Sequence, residues 1–394
     1  METTPQPETV TELFERLMAP QPTVIGIEGG PCSGKTTLVE RLQATDSERP
    51  VIVLPEAATE HIIKLAERGL TVPELAANDR EGFLAFEADV LQTIITNIEQ
   101  AREQYAGTDA IIVADRCDIG AYLSDAEHQQ LLHLLGRDMP PMLDLVDRLY
   151  YLPSVALEAP EKYDELKTNN DARYETLEQA QATCRANLAA VRRHPEIHVA
   201  WGGEFEAKLD HLVSSIMQPE VETELALEYF SATSITADIR AAKRFGRFLS
   251  YSRIVQSFHE KDGHEFRLRQ VTTDRGETLH FFTVKTGEGL TRRELQRHLT
   301  TGEYATLQQL PQVGNTLEKA RYEFLQPHML SSRGVRKWTA DHYDAPHLMR
   351  WQVEMDLYDD SQDEIFPWNI YNSGNAVARP TEVRARQLAE IALS

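Results

Sequence analysis

The residues best suited to chemistry form one glycine-rich segment near the start of the chain. In GGPCSGKTT, Gly29 is followed after four residues by Gly34, Lys35 and Thr36, which completes the G-x-x-x-x-G-K-[ST] phosphate-loop pattern. Glycines let the backbone wrap a phosphate, Lys35 would reach the β- and γ-phosphates, and the Thr36 hydroxyl would bind Mg²⁺. An apolar run before the pattern and an amphipathic stretch after it support this interpretation. We therefore predict that nine residues contact a nucleoside triphosphate: Gly29, Gly30, Pro31, Cys32, Ser33, Gly34, Lys35, Thr36 and Thr37.

Two further segments place acidic residues directly after strand-like apolar runs. Asp115 and Arg116 follow AIIVA, and Glu56 follows the run VIVL. Because the carboxyl ends of parallel strands face the ligand crevice, Asp115 would bind Mg²⁺ and Arg116 would bind a phosphate or an acceptor. Glu56 would accept the proton of an attacking hydroxyl. Each segment also has an ordinary structural explanation, a loop salt bridge for Asp115 with Arg116 and helix capping for Glu56.

A polar segment between Tyr151 and Leu177 contains three basic residues, Lys162, Lys167 and Arg173. Small-molecule kinases close a basic lid over the nucleotide after a strand end of this kind, which excludes water and adds positive charge. On this hypothesis Arg173 contacts the nucleotide. An ordinary solvated helix and loop explains the same composition equally well.

Short apolar runs alternate with helical patterns through the first half of the chain. The runs lack clean alternation, which is typical of strands in a parallel sheet covered on both faces. They are Pro22–Gly26, Val51–Leu54, Ala110–Ala114, Arg148–Leu152 and His198–Trp201. Helical patterns lie between them at Thr36–Gln43, Phe83–Gln104 and Leu177–Arg193. This alternation predicts an α/β domain with helices on both faces of a parallel sheet.

From about residue 220 the apolar pattern changes to period two. The alternating segments are FRLRQ (266–270), LHFFTVK (279–285), EKARYEF (318–324) and WQVEMDLY (351–358). Residues two apart share a face of a strand, so these strands have a charged face and an apolar face. The pattern predicts an α+β domain built on an antiparallel β-barrel, whose charged face is either a solvated exterior or a charged interior. The recurring basic residues of that face are Arg267, Arg269, Lys285, Lys319 and Arg321.

A charged interior would bind a phosphorylated ligand. Arginines two apart suit forked contacts to phosphate, and Glu354 with Asp356 would hold a bridging divalent cation. If the five cations converge on one cavity, they should repel one another until a polyanion enters. The segment Arg240–Arg253 holds five basic residues and no acid, which indicates either recruitment of an anionic ligand or an ordinary basic surface helix.

Charge and length limit the classes of protein to consider. The chain has 394 residues and a net charge of −22, of which residues 1–218 carry −19 and residues 219–394 carry −3. Binding to nucleic acid needs clustered basic charge, so we do not expect a nucleic-acid partner. The asymmetry suggests two units with different partners.

Domain boundaries and cellular context follow from other features of the sequence. We predict an N-terminal extension over residues 1–20, a nucleotide-binding domain over 21–217 and an anion-binding domain over 218–394. The three cysteines form no CxxC pair, which disfavours disulfides and zinc and fits a reducing cytoplasm. No signal peptide and no transmembrane segment are expected.

The order of motifs in the first domain resembles one P-loop family. The phosphate loop, PEAA after the second strand, ADR followed by DIGAYL, and LVDRLYYLP are similar to the nicotinamide riboside kinase part of bacterial NadR and to the N-terminal domain of TRPL-translocation-defect proteins. Thymidylate and deoxynucleoside kinases are more distantly similar. The resemblance covers most of residues 20–215. It implies a P-loop NTPase of AAA or kinase-like type that binds ATP or GTP with Mg²⁺, and it leaves the acceptor undefined.

The second domain resembles the CYTH, or triphosphate-tunnel, superfamily over about residues 220–365. The stretches RIVQSFHE, FRLRQ, FFTVK, EKARYEF and VEMDLYDD occur in the family's order. The resemblance implies a tunnel that binds triphosphates, polyphosphate or related anions with Mg²⁺ or Mn²⁺. Ala226 stands after Glu222 and Glu224 where the family has lysine, and FPWNIYNSGNAV lacks the family's late acidic pair. These departures favour binding over hydrolysis, since catalysis needs a well-placed metal.

The two halves together resemble the architecture of TRPL-translocation-defect proteins. This resemblance implies a nucleotide-binding protein that also engages a phosphorylated lipid or a polyphosphate. We expect a Mg²⁺-dependent phosphotransferase or NTPase whose second domain binds a phosphorylated small molecule, polyphosphate or phosphoinositide. A nucleotide-dependent switch without catalysis and a triphosphatase are the alternatives.

Overall fold

The computed structural model describes residues 8–168, 175–200, 204–219, 221–229, 232–244, 247–286, 291–327, 335–344 and 351–356. These residues fold into two compact units. One unit contains the described residues from Gln21 to Pro219, and the other contains those before Gln21 and after Pro219. Arg173, the segment FPWNIYNSGNAV and the C-terminal helix predicted for Pro380–Ser394 lie outside the described residues.

The unit from Gln21 to Pro219 is built around one parallel sheet, hydrogen-bonded in the order β2-β3-β1-β4-β5. Its strands are β1 Thr23–Gly29, β2 Val51–Val53, β3 Ile111–Asp115, β4 Arg148–Leu152 and β5 Ile197–Val199. Its helices, numbered from α2 because α1 belongs to the other unit, are α2 Lys35–Ala44, α3 Ala57–Glu67, α4 Val72–Asn78, α5 Arg80–Gln104, α6 Asp125–Leu134, α7 Pro141–Asp144, α8 Val155–Glu158, α9 Tyr163–Lys167, α10 Leu177–Val191 and α11 Phe205–Met217.

The central strand β1 lies between β3 and β4 and is almost completely buried. Ile25 and Ile27 are fully buried and pack in one apolar cluster with Leu38 of α2. Burial on both faces explains why β1 has a continuous apolar sequence rather than an alternating one. Register pairs Ile27 with Asp115, so β1 and β3 end at the same edge of the sheet.

The other unit is an antiparallel sheet of eight strands that closes into a barrel in the order β10-β6-β13-β12-β11-β7-β8-β9. The strands are β6 Val221–Tyr229, β7 Phe248–Lys261, β8 His264–Thr273, β9 Thr278–Thr286, β10 Thr291–Leu299, β11 Gln312–Pro327, β12 Val335–Tyr343 and β13 Trp351–Asp356. Its helices are α1 Val10–Met18, α12 Ala232–Arg244 and α13 Thr301–Leu307.

Helix α1 packs on the barrel, although the P-loop unit separates the two in sequence. A capping box between Thr9 and Glu12 begins the helix. Its buried face then contacts β8, β9 and α13 in one apolar cluster. The Phe14 ring lies 5.6 Å from Phe266 and 5.9 Å from Phe282, between ring centroids. The N-terminal extension predicted from the sequence therefore contributes to the barrel's core.

The sequence prediction of a parallel α/β unit and a separate antiparallel β unit is confirmed. The segment Arg240–Arg253 is not one basic helix, because α12 ends at Arg244 and β7 begins at Phe248. Within the described parts of the chain, no helix has the length and apolar composition needed to cross a bilayer.

Candidate functional site

The predicted phosphate loop connects β1 to α2. Gly34 is the N-cap of α2 and has a φ of 91°, a left-handed conformation that glycine adopts without strain. A Cβ on Gly34 would also lie 2.7 Å from Cε2 of Phe205. A Cβ on Gly29 would lie 2.3 Å from the carbonyl oxygen of Leu152. Both glycines are therefore required for the tight turn that leads into the N-terminus of α2.

The Lys35 side chain folds back over the loop. Its Nζ donates to the carbonyl oxygens of Gly29 at 2.7 Å and Gly30 at 3.4 Å. Burial lowers the pKa of Lys35, and the neighbouring Arg116 lowers it further. Hydrogen bonds to charged phosphate oxygens are stronger than those to carbonyls, so a bound phosphate would favour the ammonium form.

Asp115 and Thr36 provide oxygen atoms that suit Mg²⁺. The Oδ1 atom of Asp115 is buried and has no hydrogen-bond partner among the described residues. Burial raises the pKa of Asp115, while the nearby Lys35 opposes the rise. Thr36 is exposed in the first turn of α2. A carboxylate with an unsatisfied oxygen and an accessible hydroxyl are hard ligands, so these residues fit the ion that the sequence predicts.

Arg116 connects the end of β3 to two other side chains. Its backbone has a φ of 70°, which is uncommon for a residue other than glycine. Its Nη1 donates to the Tyr122 hydroxyl at 2.7 Å, and its Nε lies 3.5 Å from Oε1 of Glu56. Glu56 is the N-cap of α3, yet its side chain makes no capping hydrogen bond. Its Oε2 accepts a hydrogen bond from the Thr59 hydroxyl at 3.1 Å, so the carboxylate still contacts the first turn of α3. The helix-terminus explanation and the role of Glu56 as a proton acceptor both stay predictions.

Sequence reasoning missed two buried carboxyl groups near Arg116. Glu28 of β1 accepts hydrogen bonds from the backbone N–H groups of Cys117 at 2.8 Å and Asp118 at 3.1 Å. Consecutive N–H groups that converge on one anion form a common anion-binding arrangement, and here they fix the chain that follows Arg116. Burial raises the pKa of Glu87 in α5 to about 7, while Arg116 opposes the rise. The sequence signal that could have identified Glu28 is the presence of an acidic residue within the otherwise apolar run of β1.

Part of the predicted lid, between Tyr151 and Leu177, lies within the described residues. Lys167 ends α9, where its Nζ lies 3.0 Å from Oδ1 of Asp164 and 5.9 Å from the Tyr163 ring centroid. Lys162 lies directly before α9. These contacts are local to the segment, as in an ordinary solvated helix. Because Arg173 lies outside the described residues, its contact with a nucleotide stays a prediction.

In the barrel, the two faces of each strand carry different chemistry. Phe266 of β8 and Phe282 of β9 lie on the face covered by α1 and α13. Residues of the opposite parity line the inner face of the closed barrel. Register pairs Arg267 with Thr283 and Arg321 with Asp341 on that inner face. All five predicted anion-binding residues belong to it: Arg267, Arg269, Lys285, Lys319 and Arg321.

Two of these cations share Asp341 of β12. Asp341 is 1% exposed and accepts two hydrogen bonds of 2.8 Å from Arg321. Lys319 forms an ion pair with the same carboxylate. Burial opposes ionisation, but Arg321 and Lys319 outweigh it and hold the pKa of Asp341 well below its ordinary value.

Two further cations share Glu294 of β10, which is 4% exposed. Its Oε1 lies 3.6 Å from Nη2 of Arg267, and its Oε2 pairs with Lys285. Arg269 donates to Gln296 on the same strand. The repulsion expected among these cations is therefore reduced, because Glu294 and Asp341 each lie between two of them. Cross-strand register places Glu294 opposite Lys285 and Asp341 opposite Arg321. The alternation within a single strand does not predict these pairs.

Backbone register places Glu354 and Asp356, the predicted metal ligands of the barrel, on its inner face. Glu354 is opposite Thr339 of β12, and Asp356 is opposite Glu224 of β6. The side chains of Glu354 and Asp356 lie outside the described part of the structure. Within that part, no group of three or more His, Cys, Asp or Glu side chains is arranged to hold a metal ion. The divalent-cation role of Glu354 and Asp356 stays a prediction.

A phosphate loop that joins the central strand of a parallel sheet to the following helix defines the first unit as a P-loop fold. Residues 24–208 match the family model of the AAA domain. No curated protein matches the chain.

Several solved structures are similar to part of this chain. The inorganic triphosphatase NE1496 is 19% identical, over 44% of this chain and 98% of its own, with a TM-score of 0.28. The putative adenylyl cyclase HpAC1 from Hippeastrum, which has a dominant triphosphatase activity, is 8% identical over 36% and 80%, with a TM-score of 0.26. The PH1012 protein from Pyrococcus horikoshii OT3 is 10% identical over 34% and 78%, with a TM-score of 0.25. Similarity at this level carries no argument about activity.

Proposed function

We propose that the P-loop unit binds ATP or GTP with Mg²⁺ and transfers the terminal phosphoryl group to an acceptor or to water. The main support is one arrangement of charged groups. The Lys35 ammonium donates to the carbonyl oxygen of Gly29 at the end of β1, and Asp115, whose Oδ1 lacks a partner among the described residues, ends the neighbouring strand β3. Positive charge beside a buried acid at one sheet edge suits a triphosphate with its metal ion.

Each residue then has one role in the proposed reaction. Lys35 and the N-terminus of α2 bind the phosphates, and Thr36 with Asp115 would hold Mg²⁺. The ion would neutralise charge on the phosphate oxygens when bound. Arg116 adds positive charge beside the transferred group, and Glu56 accepts the proton of the acceptor hydroxyl.

A nucleotide-dependent switch without catalysis is the second candidate. The observation that favours it is the ion pair between Glu56 and Arg116, since an ordinary surface salt bridge accounts for both side chains without catalysis. The resemblance to the kinase part of NadR favours phosphoryl transfer, with Arg173 contacting the nucleotide from a lid. The resemblance to TRPL-translocation-defect proteins is compatible with either candidate.

The variant Glu56→Gln separates catalysis from binding. It preserves size and removes the proton acceptor, so turnover should fall by about 10²- to 10⁴-fold while nucleotide affinity changes little. Nucleoside diphosphate formation measures the first quantity, and isothermal titration calorimetry measures the second.

The matched control is Glu60→Gln, which changes an exposed acid one turn later in α3. Its turnover should equal that of the wild type. Equal turnover in Glu56→Gln would contradict the base role. Tight nucleotide binding by a wild-type protein that forms no diphosphate would favour the switch.

We also propose that the barrel binds a phosphorylated ligand, such as a polyphosphate or a phosphoinositide headgroup, and hydrolyses it slowly if at all. Glu294 forms ion pairs with Arg267 and Lys285. Asp341 forms ion pairs with Lys319 and Arg321. Each group therefore retains net positive charge toward a ligand, although the acids screen part of it. The departures at Ala226 and FPWNIYNSGNAV favour binding over triphosphatase activity.

The double variant Arg267→Ala/Arg269→Ala tests the barrel in full-length protein that also carries Lys35→Ala, which removes the phosphate-loop site. At about 100 times its dissociation constant, tripolyphosphate with Mg²⁺ should stabilise the parent protein by about 2.7 kcal/mol. The double variant should lose most of this gain, because two forked phosphate contacts are removed. Thermal unfolding with and without ligand measures the difference.

The control for this experiment is Arg253→Ala on β7, since Arg253 is exposed and pairs with Asp344. It should retain the full ligand-dependent shift. Rapid release of phosphate from tripolyphosphate would contradict a non-hydrolytic barrel. A melting curve that no polyanion moves would contradict the proposed barrel function as a whole.

A further inference from the structure

The backbone of the P-loop unit bends sharply where β3 ends at Asp115. Arg116 follows with a φ of 70°, a left-handed conformation that is unfavourable for a residue with a long side chain. Its backbone N–H group donates to the carbonyl oxygen of Ile27 in β1 at 3.0 Å. A strained conformation persists only where the surrounding contacts hold it. The contacts of this bend therefore decide where the Arg116 side chain points.

Glu28 of β1 provides two further contacts to the bend. It is 4% exposed, and its Oε1 accepts hydrogen bonds from the N–H groups of Cys117 at 2.8 Å and Asp118 at 3.1 Å. Two consecutive residues of β1 thus hold three consecutive N–H groups after β3. Burial raises the pKa of Glu28, while the Cys117 N–H group and the charge of Arg116 oppose the rise. A buried carboxylate is unfavourable unless it is hydrogen-bonded, and here the bend supplies those bonds.

The bend directs the Arg116 guanidinium toward the residues of the proposed reaction. Its Nη1 donates to the Tyr122 hydroxyl at 2.7 Å, and its Nε lies 3.5 Å from Oε1 of Glu56. Burial lowers the pKa of Lys35, and the charge of Arg116 lowers it further, so the two cations act on each other. The acid that holds the bend directly precedes Gly29, the first glycine of the phosphate loop. One strand end therefore supports both the loop and the arginine.

We propose that Glu28 is a positioning residue, which holds Arg116 beside the transferred phosphoryl group through the backbone N–H groups of Cys117 and Asp118. This inference rests on the proposed phosphoryl transfer of the P-loop unit and adds a residue to it. Glu28 acts in this role through the backbone and does not touch the substrate. Its effect is on the rate of transfer rather than on nucleotide binding, since a displacement of about 1 Å in a reacting arrangement can cost about 10²-fold in rate.

Two variants separate the reach of the Glu28 side chain from its charge. Glu28→Gln keeps the length and an acceptor oxygen, so turnover should stay within about 3-fold of the wild type. Glu28→Asp keeps the charge but is one methylene shorter, so its carboxylate cannot reach both N–H groups and turnover should fall by about 10²-fold. Nucleotide affinity should change by less than about 2-fold in both variants. Nucleoside diphosphate formation at saturating nucleotide measures turnover, and calorimetry measures affinity.

A double-mutant cycle with Arg116→Ala tests whether Glu28 acts through the arginine. Once Arg116 is replaced, Glu28→Asp should lower turnover by less than about 2-fold, because residues that act as one unit are not additive. A general loss of stability would lower turnover equally in both backgrounds. The matched control is Asp147→Ala, since Asp147 accepts the N–H group of Val24 at 2.7 Å near the other end of β1. This control should lower the melting temperature and leave turnover unchanged.

Three outcomes overturn the inference. A large loss of turnover in Glu28→Gln, or wild-type turnover in Glu28→Asp, would contradict a role based on reach. An equal loss from Glu28→Asp with and without Arg116 would show that Glu28 does not act through the arginine. Wild-type turnover in Arg116→Ala would have the same meaning. Failure of the proposed function is distinguishable from all three, because the wild-type protein would then form no diphosphate before Glu28 is changed.

Discussion

Replacing Lys35 by alanine should weaken the binding of ATP or GTP by at least about 100-fold, since charge-assisted contacts to phosphate are lost. The ammonium donates to the carbonyl oxygens of Gly29 and Gly30, within the loop that we expect to bind the phosphates. The loop itself should keep its shape, because it depends on the glycine conformations and not on the lysine. Isothermal titration calorimetry with each nucleotide in the presence of Mg²⁺ measures the loss.

A matched substitution is Lys64→Ala in α3, where the lysine is exposed and pairs with Glu60. It should leave nucleotide affinity unchanged. Circular dichroism and the melting temperature of Lys35→Ala should resemble those of the wild type, which distinguishes lost binding from lost folding. Equal nucleotide affinity in Lys35→Ala and the wild type would contradict the phosphate-loop assignment.

Replacing Phe14 by alanine should destabilise the barrel by about 3–5 kcal/mol, the usual loss for a large aromatic removed from a core. Phe14 is 3% exposed and contacts Phe266 and Phe282 under α1. Its removal leaves a cavity between the helix and the barrel wall, which the short helix cannot easily fill. Urea unfolding followed by tryptophan fluorescence detects the change, since Trp338 and Trp351 lie in barrel strands.

The exposed residue Glu15 of the same helix provides the control. Glu15→Ala should change stability by less than about 0.5 kcal/mol, as surface substitutions usually do. Nucleotide affinity should survive in Phe14→Ala, because the P-loop unit has its own core. Unchanged barrel stability in Phe14→Ala would show that α1 is dispensable. For the same reason, a barrel fragment that begins after Pro219 and lacks α1 should be unstable.

The P-loop unit was largely predictable because its signals are local in sequence. The run before Gly29, the glycines of the loop and the lysine at the start of α2 are consecutive, so spacing alone identifies them. The position of Asp115 at a strand end followed from the apolar run before it. The contact of Glu28 with the N–H groups after Arg116 joins residues 89 and 90 positions apart, and no local pattern reports it.

In the barrel, period-two alternation separated the charged face of each strand from its apolar face, since side chains on a strand alternate between two sides whatever the neighbours are. Barrel closure and the helices that cover the apolar face decided which face lies inside. Alternation gave no information about which strands become neighbours. The pairing of Lys285 with Glu294 and of Arg321 with Asp341 depends on cross-strand register. The sequence therefore predicted the cations but not the acids that share them.

The sequence by itself determined the phosphate loop, the parallel and antiparallel character of the two units, and the charged face of the barrel strands. These properties depend on residues within a few positions of one another, where backbone geometry fixes the relation. Only the tertiary structure decided that α1 completes the barrel core, that Glu28 holds the chain after Arg116, and that Glu294 and Asp341 pair with the cations. Each of these contacts joins distant parts of the chain. They form because burial of apolar surface and pairing of buried polar groups are satisfied across the whole fold rather than within one element.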